Sequence, residues 1–390
     1  MKNRFFNKYF FAFIWLLLGS SVLAQTNPLP KAVIPFESRN GAIILTVKLN
    51  DSEQPLKLLF DTGADGMAIG EALAQKIGLK ASRWNKAAVV GGAADIGIAE
   101  GNTVHLGTFD LPSQNIAIFK EMHNELDGII GNIIARSYVV KVDFDRKELS
   151  LFDFEGYTYE KQGTILPLTE PKGMFSVTGV LTVANGAPCQ GNFLFDTGAS
   201  YNLICFRPFV RKNKLLVSGF KPEYQGNTNS MGVNSPTFSG RAVFAMANLP
   251  VLSQMPITLM AGGSEANIPY DGSIGNRLLS RYNFTLNSRQ REVHLVPNKS
   301  SAYPFDFAFG GYIFGFDTDG NLTVLDLVAR EDSKNQLKPG AKVKSINGLP
   351  VETLRNNGKQ LEKLLVLPSG TAMLVETELD GKQFSQTLKK

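Results

Sequence analysis

One short motif occurs twice in this chain, each time at the end of an apolar run. Residues 58–64 (LLFDTGA) recur as residues 193–199 (FLFDTGA). An apolar run of this kind predicts a strand that is buried on both faces. A carboxylate at the end of such a strand is costly to bury unless it has a partner. Because the two copies lie in matching contexts, we expect Asp61 and Asp196 to be partners.

A second motif follows each copy. Residues 127–132 (DGIIGN) correspond to residues 271–276 (DGSIGN) at an offset of 144 positions, and the same offset relates Tyr138 to Tyr282. The aspartates of the first motif are 135 positions apart, so the second copy holds about nine additional residues between its motifs. This repeat indicates a duplicated domain with its insertions in loops. The alternating and apolar runs predict a mainly β fold.

The two motifs together resemble the signature of the pepsin-like and retroviral-type aspartic proteases. Asp-Thr-Gly-Ala is closer to the retroviral-type branch, and the matching motifs cover roughly residues 40–300. The resemblance implies two acid-protease β-barrel lobes in one chain. It also implies an endopeptidase that acts on peptides or proteins, with Asp61 and Asp196 as catalytic residues.

Two carboxylates that share one proton suit peptide hydrolysis by water. The ionised carboxylate accepts a proton from the water, and the protonated one donates to the carbonyl oxygen of the peptide. Like charges a few ångströms apart separate the two pKa values, which then belong to the pair. We expect no cofactor and no metal, since no His/Cys cluster has the spacing of a metal site.

The resemblance also implies roles for the neighbours of both aspartates. In the family the threonines bond across a pseudo-twofold axis, and the glycines let backbone N–H groups approach the carboxylates. The residues expected to support the catalytic loops are Thr62, Gly63, Ala64, Thr197, Gly198 and Ala199. Pepsin-like enzymes have serine where this chain has alanine, and loss of that donor should raise the lower pKa of the pair. We therefore expect a pH optimum less acid than pepsin's.

Three other aspartates lie in or beside the motifs. Asp127 and Asp271 precede the hydrophobic-hydrophobic-Gly runs, and a structural role in capping the following turn or helix is favoured over a catalytic one. Asp65 directly follows the first motif, where the second copy has Ser200. It either faces water or adjusts the charge of the cleft.

A glycine-rich stretch around Gly91 and Gly92 lies between two β-like runs. A hairpin tip of this kind can approach a ligand's backbone closely. In the family the flap over the cleft lies here, and an ordinary flexible hairpin is the alternative. Residues 80–105 lack the tyrosine of pepsin-like flaps, and Trp84 is the nearest aromatic residue. Residues 231–234 form a candidate second flap.

The chain begins with a predicted signal segment at residues 1–24. It has a basic part with Lys2, Arg4 and Lys8, an apolar core and a signal-peptidase-like site. We expect export to the periplasm or medium, as in bacterial proteins of this type, with the segment either cleaved or kept as an anchor. Without these three charges the formal net charge of +5 falls to +2, which gives no electrostatic case for nucleic-acid binding.

The only two cysteines, Cys189 and Cys205, flank the second Asp-Thr-Gly-Ala. An oxidising compartment would permit a disulfide between them. Two free thiols are the alternative. The first copy has Gln54 and Gly70 at the corresponding places, so the motif itself needs no bridge.

The composition changes after about residue 300. Residues 337–348 (LKPGAKVKSING) resemble the PDZ signature of a Pro-Gly turn, a strand and an Asn-Gly turn. PDZ domains capture C-terminal peptides by strand addition and hold the carboxylate on backbone N–H groups. The stretch that looks like the carboxylate-binding loop is Gly311, Tyr312, Ile313 and Phe314. Aromatic residues before a strand can instead belong to the core.

These inferences give one domain scheme and two classes of function. The expected units are a signal peptide (1–24), a first lobe (25–160), a second lobe (161–300) and a PDZ domain (301–390). Within the first lobe, residues 25–40 with their three prolines are expected to form a leader, and the fold is expected to begin at Gly41. The main hypothesis is an active peptidase whose PDZ domain recruits substrates or gates the cleft. The alternative is a catalytically silent scaffold that binds peptides. Since both lobes lie on one chain, intramolecular pairing has the higher effective concentration, and we expect a monomeric catalytic unit.

Overall fold

The computed structural model describes residues 28–89, 92–120, 122, 126–230, 233–263, 269–328, 337–368 and 370–389. The predicted signal segment, the predicted flap residue Gly91 and residues 231–232 of the second candidate flap lie outside this part of the chain. The described part consists mainly of β-strands with six short α-helices, so the predicted mainly β class is confirmed. None of these helices combines the length and apolar character needed to cross a bilayer.

The first lobe contains ten strands and two helices in its described residues. They are β1 (Ala32–Arg39), β2 (Ala42–Leu49), β3 (Leu56–Phe60), β4 (Met67–Gly70), α1 (Glu71–Lys76), β5 (Arg83–Val89), β6 (Gly92–Leu106), β7 (Phe109–Phe119), β8 (Gly128–Ile130), α2 (Ile133–Ser137), β9 (Val139–Asp143) and β10 (Glu148–Phe152). β3 carries alternate side chains into a core of buried aliphatic and aromatic residues, and Asp61 follows its last residue.

The lobe begins earlier than we expected from the sequence. We took residues 25–40 as a leader because of their three prolines, with the fold starting at Gly41. Strand β1 instead pairs with β10 and then with β2. Ile34 and Phe36 alternate into the core, and Pro35 lies between them. Because proline is unusual inside a strand, its presence argued against a strand here despite the alternating apolar residues.

The second lobe repeats this plan. Its described elements are β11 (Thr164–Pro167), a 3₁₀ turn (Pro171–Gly173), β12 (Ser176–Thr182), β13 (Cys189–Phe195), β14 (Leu203–Cys205), α3 (Arg207–Lys212), β15 (Pro222–Ser230), β16 (Val233–Ala245), β17 (Leu252–Met260), β18 (Gly272–Ile274), α4 (Asn276–Leu279), β19 (Tyr282–Asn287) and β20 (Glu292–Pro297). Strand β13 ends immediately before Asp196 and pairs parallel with β18, as β3 pairs with β8.

The two lobes share a sheet with pseudo-twofold symmetry. Its order is β11-β20-β19-β9-β10-β1-β2-β3-β8-β4-β7-β6-β5, and a separate seven-stranded sheet completes the second lobe. At the junction Lys141 of β9 pairs antiparallel with Thr285 of β19, its own equivalent at the 144-position offset. One residue away, Val140 pairs with Leu286. The predicted duplication therefore produces two lobes that meet about a local twofold axis.

The third domain follows a 3₁₀ turn at Lys299–Ala302. Its described elements are β21 (Phe307–Phe309), β22 (Tyr312–Phe316), β23 (Leu322–Leu327), β24 (Lys342–Ile346), β25 (Leu349–Pro350), α5 (Val351–Asn356), α6 (Gly358–Leu365), β26 (Ala372–Leu379) and β27 (Lys382–Lys389). They form a sheet of order β21-β22-β23-β24-β26-β27, with β25 on β24. A core of its own, separate from that of the lobes, packs between this sheet and α5 and α6.

Candidate active site

The ends of β3 and β13 bring Asp61 and Asp196 together. A Cβ atom built on Gly198 would lie 2.3 Å from Cγ of Asp61, and one built on Gly63 would lie 2.5 Å from Cγ of Asp196. Each carboxyl therefore lies against the backbone of the opposite motif. Side chains larger than hydrogen do not fit at either glycine without moving the carboxyl groups.

The two threonines join these loops across the axis. The Thr62 N–H donates to Oγ1 of Thr197, and the Thr197 N–H donates to Oγ1 of Thr62, both at 3.0 Å. Each hydroxyl in turn donates to a strand carbonyl of the opposite lobe, that of Phe195 for Thr62 and that of Phe60 for Thr197. Both threonines are fully buried. This reciprocal set fixes the distance between the two motifs.

The second motif of each copy crosses directly beneath the first. A Cβ on Gly131 would lie 2.4 Å from the carbonyl oxygen of Ala64, and one on Gly275 would lie 2.4 Å from that of Ala199. The next residue pins the loop from below, since the Asn132 amide donates to the carbonyl of Thr62 at 2.8 Å. Asn276 makes the equivalent bond to the carbonyl of Thr197 at 3.4 Å. Both asparagines belong to the repeated motif, but the sequence alone does not indicate this function.

The hydrogen bonds to the two carboxyls are unequal. Oδ1 of Asp61 accepts from the Gly63 N–H at 2.9 Å. Oδ1 of Asp196 accepts from the N–H groups of both Gly198 and Ala199 at 3.0 Å, and the Ser273 hydroxyl is a further donor. Asp196 therefore has three donors where Asp61 has one from the protein backbone.

This inequality determines which carboxyl keeps a shared proton. Burial raises the pKa of both groups, and the nearby charge of Asp196 raises the pKa of Asp61 further. The donors on Asp196 favour its ionised form and oppose the rise in its pKa. The two carboxyls are also hydrogen-bonded to each other. The arrangement is that of one proton held on Asp61 and donated towards an ionised Asp196.

The Ser273 hydroxyl is a donor that our sequence reasoning missed. Ser273 lies on β18, next to Leu194 of β13, and is almost fully buried. The corresponding residue of the first lobe is Ile129. The sequence did contain a signal for this donor, since Ser273 is the one polar residue of the short β18 strand. The argument that alanines 64 and 199 leave the pair without a hydroxyl donor therefore applies to Asp61 alone.

A family model for aspartyl proteases matches residues 45–133. This segment contains both motifs of the first lobe and about a quarter of the chain. A search of curated proteins finds no match. Among solved structures, the crystal structure of the aspartic proteinase from Irpex lacteus is similar, with 13% sequence identity and a TM-score of 0.46. The similarity covers 69% of this chain and 97% of that protein.

The other aspartates of the motifs have structural partners. Oδ2 of Asp127 accepts from the N–H of Lys57 at 2.7 Å, and Oδ2 of Asp271 accepts from the N–H of Asn192 at 2.8 Å. Each carboxylate thus holds the strand that leads to a first motif, rather than capping the element that follows it. Asp65 is exposed at the edge of the cleft and forms an ion pair with Arg136 of α2.

A cleft of about 2130 Å³ lies above the two carboxyls. Strands β5 and β6 form the predicted first hairpin on one side, with Val89 paired to Gly92, where β6 begins. Trp84 on this hairpin is 75% exposed. Strands β15 and β16 form the corresponding hairpin of the second lobe, and both hairpins contribute residues to the cleft.

The structure gives the four predicted carboxylate-loop residues different positions. Gly311, with Gly310, makes the turn between β21 and β22, and their φ angles of +84° and +58° are in the left-handed region. Tyr312 and Phe314 are buried in the core of the third domain. Ile313 is partly exposed and lines the cleft. Strand β21 pairs antiparallel with β22 along all three of its residues, so this edge of β22 is occupied.

Both cysteines are free thiols in the structure. Cys205 is fully buried in β14, and burial raises the pKa of its thiol. Among the described residues, no group of three or more His, Cys, Asp or Glu side chains is arranged to bind a metal ion.

Proposed function

We propose that the chain is an aspartic endopeptidase. The observation that carries this proposal is the pair formed by Asp61 and Asp196, which lie together at the floor of an open cleft and accept unequal sets of hydrogen bonds. Burying two carboxyls side by side lowers the stability of the fold, and a catalytic role would explain why the pair is present. The family-model match to the first lobe supports the same conclusion.

The geometry supports a mechanism in which the two carboxyls have different starting roles. The Asp196 carboxylate removes a proton from a water molecule as the water oxygen bonds to the peptide carbon, and Asp61 gives its proton to the carbonyl oxygen. The resulting tetrahedral intermediate is neutral. Asp196 then protonates the leaving nitrogen, Asp61 takes a proton from one hydroxyl, and the C–N bond breaks. The products are a carboxylic acid and an amine.

The proposal assigns the surrounding residues to positioning. The threonine exchange and the two asparagine contacts keep the carboxyls at a fixed separation. The hairpins β5–β6 and β15–β16 lie where they can cover an extended peptide. Both lobes come from one chain and share one sheet, which supports a monomeric catalytic unit.

We further propose a regulatory or recruiting role for the third domain as a PDZ-like module. Strand β21 already forms the backbone hydrogen bonds on one edge of β22, so a C-terminal peptide could add there only by displacing β21. This favours gating over recruitment. In a chain without residues 301–390, higher activity on short peptides would support gating, and lower activity on long substrates would support recruitment. Export of the protein remains a prediction from residues 1–24.

The first experiment compares residues 25–390 with the Asp61→Asn variant on a mixed peptide library, from about pH 3 to pH 7. We expect the wild type to cleave the library and the variant to lose about 10²- to 10⁴-fold in rate. The cleavage sites then give the specificity. Equal cleavage by both proteins would contradict the assignment of the dyad. Peptide binding without cleavage would favour a catalytically silent peptide-binding module.

A further inference from the structure

We infer that the third domain forms one wall of the substrate cleft, and that Ala308, Ile313 and Leu325 on this wall bind an apolar side chain of the peptide. The inference rests on the proposed function, since it assigns a subsite to the same cleft. It gives a function to the face of the third domain's sheet that does not pack against that domain's own core.

The wall is one face of strands β21, β22 and β23. The opposite face of this sheet supplies Tyr312, Phe314 and other buried residues to the core of the third domain. Ala308 and Ile313 are paired neighbours on β21 and β22. Together with Leu325 of β23 they are partly exposed and line the cleft. An apolar patch on the open face of a sheet, facing a cleft, is suited to binding an apolar group.

The wall is continuous with the loop that carries Asp196. Tyr201, five residues further along the chain, lines the same cleft. Asn202, the next residue, donates to the carboxylate of Asp306, which immediately precedes β21, so the wall lies close to this loop. A peptide that passes over Asp196 towards the second lobe therefore meets the wall.

Asp306 fixes the wall in place. This residue immediately precedes β21, and its Oδ2 accepts from Nη1 of Arg277 and from Nδ2 of Asn202, both at 3.0 Å. Its backbone carbonyl accepts from Nη2 of Arg241 at 2.7 Å. Arg277 also donates to the carbonyl of Ser200 at 3.0 Å. The third domain is thus bonded directly to the second catalytic loop.

The two copies differ at the positions that make these contacts. Arg277 of the second lobe corresponds to Ile133 of the first at the 144-position offset. Asn202 corresponds to Gly66, since their carbonyls accept from the equivalent N–H groups of Gly275 and Gly131. Neither residue of the first lobe has a side chain that could donate to a carboxylate, so the polar attachment and the wall lie on one side of the cleft only. We expect it to select the substrate residue on one side of the scissile bond.

The first test detects contact without requiring cleavage. A photo-crosslinking benzoylphenylalanine replaces Ile313 in the full chain with Asp61→Asn, and a mixed peptide library is added. The matched control carries the same residue at Val366, which is 77% exposed on the third domain and does not line the cleft. We expect peptide crosslinks from position 313 and none above background from position 366.

The second test measures specificity. We expect Ile313→Asp to lower the preference for apolar side chains at one subsite by about 10- to 100-fold, with the other subsites unchanged. Val366→Asp adds the same charge away from the cleft and should leave the cleavage profile as in the wild type. Ile313→Ala, which only shortens the side chain, provides a smaller change at the same subsite if the aspartate variant does not fold.

The outcomes separate the inference from the proposed function. Cleavage of the library with no crosslink at 313 and an unchanged profile would overturn the inference and leave the peptidase in place. Crosslinks at 313 without any cleavage by the wild type would support the wall and refute the peptidase. Neither crosslinks nor cleavage would refute both.

Discussion

Thr62 and Thr197 each accept a hydrogen bond from the other's backbone N–H, and both bonds are 3.0 Å long. The two residues come from lobes that meet about a local twofold axis, so the exchange is symmetric. Since both hydroxyls also donate to buried strand carbonyls, the loops carrying the two aspartates behave as one unit.

Replacing Thr62 with valine should destabilise the protein. The change keeps the shape but leaves the Thr197 N–H and the Phe195 carbonyl without a partner, at about 1–3 kcal/mol for each buried group. Urea unfolding measures the loss. Thr62→Ser keeps the hydroxyl and should lose much less, and equal losses for the two variants would show that the methyl group matters as much as the bonds.

Replacing Gly63 with alanine should abolish most of the proposed activity with little effect on the fold elsewhere. The new Cβ would lie 2.5 Å from Cγ of Asp196 and must displace that carboxyl. A displacement of about 1 Å at reacting groups can cost roughly 100-fold in rate. Gly66→Ala is the matched control, because a Cβ there meets no atom within 4 Å. Similar rates for both variants would contradict the close contact.

The sequence predicted the dyad because the motif that carries it is local and repeated. An apolar run, an aspartate and a glycine at fixed spacing specify a strand and the loop at its end, and duplication supplies the partner. The hydroxyl of Ser273 could not be predicted in the same way. Its contact with Asp196 depends on the register between β13 and β18, which are separated by about eighty residues of sequence.

The contacts that attach the third domain to the second lobe could not be predicted from short sequence motifs either. Asp306, Arg277 and Asn202 belong to three distant segments, and none lies in a motif that marks an ion pair. For the predicted carboxylate loop, the structure gives the side chains of Tyr312 and Phe314 a core position, which was the alternative we had left open. Binding of a carboxylate by the backbone N–H groups of this loop stays a prediction.

The stability of the protein should fall as pH rises through the range in which Asp61 alone stays protonated. Burial raises the pKa of Asp61 well above its usual value, so above about pH 4 the folded protein holds a proton that the unfolded chain has released. The free energy of unfolding then decreases with pH. Asp61→Asn removes the contribution of Asp61 to this dependence and should gain stability over the wild type at pH 7, but not at pH 3.5.

Urea unfolding of both proteins at several pH values checks this expectation. The informative quantity is the difference in free energy of unfolding between the variant and the wild type. It should grow from acid to neutral pH. A difference that stays constant with pH would show that Asp61 titrates alike in the folded and unfolded states.

Removing the Ser273 hydroxyl should move the acid limb of the pH–rate profile to higher pH. The hydroxyl favours ionised Asp196, so its loss in Ser273→Ala raises the pKa of that carboxyl. The reciprocal change Ile129→Ser places a hydroxyl at the equivalent position of the first lobe. It should bring the two carboxyls closer in pKa. The measurement is kcat/KM against pH, and an acid limb unchanged in Ser273→Ala would contradict the assigned donor.

Breaking the bond between Arg277 and Asp306 should cost far more than breaking the exposed pair between Lys147 and Asp319. Both side chains of the first pair are only 15% exposed, so Asp306→Ala leaves a buried guanidinium unpaired, at on the order of 3 kcal/mol. Lys147 and Asp319 are 37% and 47% exposed, and Asp319→Ala should cost under about 1 kcal/mol. Both pairs join the third domain to a lobe, which makes the second variant a matched control.

A double-mutant cycle on Arg277 and Asp306 isolates the pair itself. Since the two side chains are in direct contact, the double variant should be more stable than the sum of the single losses implies, with a coupling of about 1–3 kcal/mol. Urea unfolding of the full chain provides the four values. Additive losses would mean that Asp306 acts through Asn202 or through its backbone carbonyl, and that the attachment of the third domain does not depend on this ion pair.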